Sequence, residues 1–160
     1  MPALMRYSFV VALIVALGAG CSKEIGDECT VSSDCDPNGE RLCDVSSGTP
    51  GYCTIQGCDV DTCPEEAVCV RFFTGSFHNR TCDPQYEYGD GNCTFDEICS
   101  LAGSCVPRSS EVRYCMRSCD DDGDCRGGYE CRNKDLMVEH GGQPVGRSPD
   151  NGKFCAYKGS

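Results

Sequence analysis

Seventeen of the 160 residues are cysteine, and the fate of those thiols decides what the rest of the chain can do. Three chemistries suit so many thiols: disulfide cross-linking, zinc ligation and lipidation. Zinc fits poorly, because the chain offers two histidines, His78 and His140, and its cysteines form no paired CxxC knuckles. Disulfides fit the composition. After position 20, only 20 of 140 residues, or 14%, are Leu, Ile, Val or Phe. So little apolar surface cannot offset the entropy of ordering the chain, and covalent cross-links must supply the order. Disulfides persist outside a reducing cytosol, so the sequence reads as extracytoplasmic.

Two further stretches carry side chains that could do chemistry. The run Cys119-Asp120-Asp121-Asp122-Gly123-Asp124-Cys125 gathers hard oxygen ligands of the kind calcium takes, with Asp120, Asp121, Asp122 and Asp124 as the candidate ligands. Aligned on an EF-hand loop with Gly123 at the sixth position, it puts Ser118 first and Tyr129 last, where that loop needs Asp and Glu. A solvated acidic turn held between two bridges is the plainer alternative. The stretch Val70 to Thr81 concentrates Arg71, Phe72, Phe73 and Phe77, residue types that anchor protein interfaces. Its alternative role is to pack over the disulfides as a miniature core. No GxSxG elbow, HExxH pair, phosphate-binding glycine loop or CxxC redox motif occurs, so the expectation is a chain without catalytic residues and without a required cofactor. Removing residues 1–20 leaves 13 bases against 25 acids, a net charge of −12, which argues against nucleic-acid partners.

Residues 1–20 have the pattern of a signal peptide: Arg6, an apolar run from Phe9 to Leu17 too short to span a bilayer, then Gly18-Ala19-Gly20. The stretch Leu17-Gly18-Ala19-Gly20-Cys21 resembles the lipobox of bacterial lipoproteins, with Leu one position further from the cysteine than is usual there. The resemblance implies cleavage before Cys21, a diacylglyceryl (and palmitate-type) modification of its thiol, and outer-membrane sorting from Ser22. Ordinary cleavage after Gly20 and secretion is the competing outcome. Parity favours lipidation, since seventeen is odd and modifying Cys21 leaves sixteen cysteines to pair.

Those sixteen fall into two sets of eight with similar gaps: Cys29, Cys35, Cys43, Cys53, Cys58, Cys63, Cys69 and Cys82, then Cys93, Cys99, Cys105, Cys115, Cys119, Cys125, Cys131 and Cys155. The spacing predicts a small disulfide-rich fold of two tandem four-disulfide modules with short β-hairpins and irregular loops. Residues 21–28 form a lipidated tether, 29–82 the first module, 83–92 a linker and 93–160 the second module. Cross-pairing between modules is the alternative. Strands are expected at Gly51–Ile55 and Val112–Met116, turns at 36–39 and 48–51, a single helical turn from Thr94, and a mobile loop over Arg132–Phe154.

The elements Cys29-x5-Cys35, Gly51-Tyr52-Cys53 and Asp124-Cys125-Arg126-x2-Gly128-Tyr129-x-Cys131 resemble the cysteine-rich repeats of myxobacterial-type surface lipoproteins, which implies a cell-surface location and no particular activity. The sequence thus points to a non-catalytic, lipid-anchored structural or binding module of the cell envelope, attached to the membrane through its lipid and facing a protein or envelope partner. A disulfide-rich inhibitor or toxin-like ligand acting through a rigid loop, and a calcium-dependent binder, are the other readings.

Overall fold

In a chain this poor in aliphatic residues, strands are short and are placed by their cysteines. The computed structural model describes residues 22–75, 80–85 and 92–159. Cys21, Phe77, His78 and most of the expected linker lie outside them, as do residues 1–20 with their expected signal peptide. In chain order the elements are β1 (Glu28–Cys29), α1 (Ser32–Cys35), β2 (Leu42–Asp44), β3 (Gly51–Thr54), β4 (Ala67–Phe73), β5 (Glu97–Cys99), β6 (Cys105–Pro107), β7 (Glu111–Arg117), β8 (Tyr129–Arg132), α2 (Lys134–His140), β9 (Gln143–Pro144) and β10 (Phe154–Tyr157). All strand pairs are antiparallel, in sheets ordered β1-β3-β2, β7-β4-β9, β5-β6 and β8-β10.

Eight disulfides join the sixteen cysteines from Cys29 to Cys155, and they obey one rule. The cysteines form four quartets, and in each the first bonds the third and the second bonds the fourth. The bridges are Cys29–Cys43 with Cys35–Cys53, Cys58–Cys69 with Cys63–Cys115, Cys82–Cys99 with Cys93–Cys105, and Cys119–Cys131 with Cys125–Cys155. In every quartet the third and fourth cysteines face each other across an antiparallel pair: Cys43 and Cys53, Cys69 and Cys115, Cys99 and Cys105, Cys131 and Cys155. Directly opposed residues share one face of a sheet, so the two sulfurs emerge side by side there. The preceding loop must lay the first two cysteines over that face. It does so with the same turn each time: the carbonyl of the residue after the second cysteine accepts from the N–H three residues on, at Asp36–Gly39, Pro64–Ala67, Thr94–Glu97 and Arg126–Tyr129. The Cα separations across the bridges are 5.4–5.9 Å, which a disulfide spans without moving the backbone.

The small disulfide-rich fold with short hairpins is therefore as the composition requires, but the division into two modules each closing four bridges is not. Cys63–Cys115 and Cys82–Cys99 both cross the boundary between residues 29–82 and 93–160. The repeat is a four-cysteine unit, and spacing alone aligned Cys29 with Cys93 although one is first and the other second in its quartet. The third unit is inserted between the strands of the second, β4 and β7, which is why Cys69 and Cys115 pair across 45 intervening residues. The single helical turn expected from Thr94 is the β-turn just described.

β4 is the central strand. Its Ala67 and Cys69 face a cluster with Ile25, Tyr52, Cys115 and Tyr129, while Val68 and Val70 face a second with Met137, Phe154 and Ala156. A third cluster consists of cysteines alone, Cys29, Cys35 and Cys53, with Cys43 against them. The segment Arg132–Phe154, expected to be a mobile loop, is instead built in. Asn133 caps α2 by accepting from the Leu136 N–H at 3.0 Å, Met137 is 1% exposed, and β9 pairs with β4. At Gly142 a side chain is excluded twice, by φ of +89° and by Phe154 and Phe72, whose ring carbons would lie 2.5 and 3.0 Å from a Cβ.

Two outcomes check this architecture. A non-reducing digest should release peptides linking Cys63 to Cys115 and Cys82 to Cys99, and bridges confined to 29–82 and 93–155 would overturn it. Gly51→Ala should lower stability by about 1–3 kcal/mol in denaturant titration, because its Cβ would sit 2.6 Å from Cys43 Sγ and 2.8 Å from the Asp44 carbonyl oxygen.

Candidate binding cleft

Because the units repeat one geometry, residues flanking their cysteines occupy equivalent places, and three units turn those places toward one another. The residues after the fourth cysteine are Thr54, Met116 and Ala156 in the first, second and fourth units, and all three line one cleft of about 210 Å³. Tyr52 and Tyr114, which precede the fourth cysteine, line it too, as do Asp44 and Arg132, which follow the third. Phe72, Tyr129, Tyr157 and His140 complete the walls, with Ser46 and Ser47 at the β2–β3 turn. The third unit contributes none of these residues.

The units are pinned together at the cleft floor. The Tyr52 hydroxyl accepts from the Arg117 N–H at 2.9 Å and donates to the Cys155 carbonyl at 3.4 Å, so one side chain ties the first unit to the second and the fourth. Burial pushes that phenol well above the ordinary tyrosine range, with the Arg117 amide opposing. The Thr54 hydroxyl donates to the Cys115 carbonyl at 2.7 Å. Tyr52 and Tyr129 stack with ring centres 5.3 Å apart, and Tyr157 meets Tyr129 edge-on at 5.7 Å. The Arg126 guanidinium carbon lies 4.3 Å from the Tyr129 ring centre and 5.7 Å from that of Tyr52.

Arg132 is the one cation in the cleft wall and is 1% exposed. Its Nε donates to Glu130 at 3.2 Å, and its terminal nitrogens donate to the carbonyls of His140, Gly141 and Tyr157 at 2.9–3.0 Å. Burial pulls its pKa down and Glu130 holds it up. With its donors committed, the guanidinium fastens β8 to α2 and β10.

The residues singled out from the sequence fall in two separate parts of the fold. Arg71, Phe72 and Phe73 lie in β4 rather than in an exposed loop; Arg71 is buried opposite Arg113 and Gln143, and Phe72 packs against Tyr114 and Phe154. Phe72 also lines the cleft, so it both packs and faces the candidate site. Phe77 lies outside the described residues. Three of the four aspartates in 120–124, Asp121, Asp122 and Asp124, bond backbone amides of this loop or of β8. Asp124 Oδ2 accepts from the N–H groups of Asp120 and Asp121 at 2.8 and 3.2 Å, as Asp34 Oδ2 does from Thr30 and Val31 in the first unit. Those amide bonds hold both carboxyls below the usual aspartate range. Asp121 accepts from Gly123, and Asp122 accepts from the Cys131 N–H at 2.8 Å and faces Lys158 at 3.8 Å. Asp120 lines a polar hollow together with Asp124, Arg147 and Lys153, where cations already stand. Among the described residues, the groups of three close ligand atoms are all cysteine sulfurs, already in disulfides.

No protein family, curated protein or solved structure matches this chain. The eight bridges make it a cysteine-rich module of an extracellular, oxidising environment. No helix of the described residues is long and apolar enough to cross a membrane. The cleft was not found from the sequence, although its signal was there: tyrosines adjoining the cysteines, Tyr52 and Tyr114 each one residue before a half-cystine.

Arg132→Ala leaves Glu130 and three carbonyls without their donor, so it should cost about 3–5 kcal/mol, read as a melting-temperature fall on the order of 10 °C. A variant that melts with the wild type would refute that role. Acid should act through Glu97, whose carboxyl is held down to about 2 from an ordinary 4.5 by the Arg80 guanidinium and the Thr94 N–H. A lowered folded pKa contributes stability above the unfolded value, so that stability is complete above pH 4.5 and is lost as pH falls through about 2. Melting temperature measured across that window should fall more steeply in the wild type than in Glu97→Gln.

Proposed function

We propose that this chain is a lipid-anchored, non-catalytic binding module of the cell envelope, presenting its cleft from a rigid disulfide frame. The observation that carries the binding reading is the convergence of equivalent positions from three separately cross-linked units on one solvent-open aromatic cleft. Pockets that bind are pre-formed, mostly apolar and furnished with a few polar groups, and this one has Asp44, Ser46, Ser47 and His140 beside its aromatic walls. Supporting a non-catalytic role, Ser46, Ser47 and His140 share the cleft without a hydrogen bond joining a hydroxyl to the imidazole among the described residues, whereas nucleophilic chemistry needs that pairing.

The anchor rests on the leader pattern and on arithmetic. The eight bridges consume the sixteen cysteines from Cys29 to Cys155, which leaves Cys21 as the odd one among the seventeen of residues 1–160. The cysteine pattern that resembles myxobacterial-type surface lipoproteins agrees with an outer-membrane or cell-surface location, and the partner is then a molecule of the envelope or its surroundings.

Expression of the full chain in a diderm bacterium tests this. The wild type should fractionate with membranes and begin at an acylated Cys21 by intact mass and N-terminal peptide analysis, while Cys21→Ser should appear in the soluble fraction. An unacylated Cys21, or a Cys21→Ser variant still bound to membranes, sinks the anchor.

A further inference from the structure

The cleft's size and charge narrow what it can hold. At about 210 Å³ it is smaller than the ~300–1,000 Å³ of ordinary small-molecule sites, so it takes a group of headgroup or side-chain size. Its accessible walls are aromatic and thioether surface: Phe72, Tyr114 and Met116 are half-buried and Tyr157 is exposed. Its electrostatics are one-sided. Arg132 is paired with Glu130 and spends four of its five donors on Glu130 and three backbone carbonyls, so it offers little to an anion. Asp44 is the carboxylate in the cleft wall, and no Lys or Arg among the described residues forms an ion pair with it. The tyrosine pair already holds one cation, since the Arg126 guanidinium carbon lies 4.3 Å from the Tyr129 ring centre and 5.7 Å from that of Tyr52.

Resting on the reading of this cleft as a binding site, we propose that it receives an alkylated ammonium group, a small organic cation held by aromatic faces and by the Asp44 carboxylate. Aromatic quadrupoles attract cations, and a quaternary ammonium presents methyl surface with no donors to satisfy. That suits the cleft floor, where Thr54 and Arg132 are already bonded to backbone carbonyls. A primary ammonium needs three acceptors, and an anion would face the Asp44 carboxylate.

The test uses choline and its neutral carbon isostere, 3,3-dimethylbutan-1-ol, titrated into the folded, oxidised protein at low salt and followed by tyrosine ring resonances. Choline should bind, shift the Tyr114 and Tyr157 resonances, and exceed the isostere roughly tenfold in affinity. Asp44→Asn is the matched variant. Its amide oxygen can still accept from the Ser46 N–H, as Asp44 Oδ1 does at 2.9 Å, so the turn is kept while the charge is removed. It should weaken choline about fivefold and leave the isostere unchanged. Equal binding of the two ligands, or choline binding untouched by Asp44→Asn, overturns the cation proposal and leaves a binding cleft of another specificity. Binding of neither overturns the proposal and the cleft's role together.

Discussion

Two cysteines opposed on one face of a two-stranded pair, each tied back to a cysteine earlier in the chain, are the constraint on which this structure depends. Such a short pair is marginal by itself in water. The interlaced bridges remove much of the freedom its unfolded chain would have, each by about 2–4 kcal/mol before couplings between them are counted. Apolar side chains then need only fill the seams. That is why one buried cluster can consist of four cysteines, and why clusters with real side-chain volume occur where units meet, around β4.

The junctions depend on few groups. Tyr52 reaches two other units through one hydroxyl, and Thr54 bonds the Cys115 carbonyl, while Arg132 braces the fourth unit internally through four acceptors. All three lie in the cleft wall, so the groups that fix the units and their junctions also form the walls of the candidate site. A frame locked covalently within units and by single polar groups between them gives that cleft a fixed shape before any ligand arrives, which lowers the ordering cost of binding.

The covalent character of the fold was legible from the sequence because it follows from composition: 14% large aliphatic and Phe residues cannot order 140 residues without cross-links. Strands at Gly51 and Val112 were legible from β-formers bounded by turn residues, and the turn at 36–39 from Pro and Gly; the hydrogen-bonded turn expected at 48–51 falls three residues earlier, at Val45–Gly48. The pairing was not, because a bridge is decided by cross-strand register. Nothing in the gap between Cys69 and Cys115 says that these two face each other. The segment 132–154 misled for a related reason: its Gly, Pro and charges look like a free loop, while Met137 and the flanking Arg132 and Phe154 fix it from three points. The acidic run 120–124 reads equally as a calcium loop or as a capped turn, because carboxylates that cap a tight turn, as Asp121 and Asp124 do here, are of the same type as those that bind calcium.

The insertion of one unit into another sets the order in which the molecule can be finished. A chain exported from its N-terminus delivers Cys35 and its partner Cys53 almost together, and the first unit can close while the remainder is still inside. Cys63 has no such luck: Cys82, Cys93, Cys99 and Cys105 all reach the oxidising side before Cys115 does. Its thiol stays exposed to four wrong partners throughout that interval. The third unit, by bonding its own four cysteines to one another, withdraws them from competition. Maturation of the central sheet therefore depends on prompt oxidation of a part of the chain that lies outside it, and an export pathway lacking a disulfide isomerase would accumulate misbridged forms centred on Cys63.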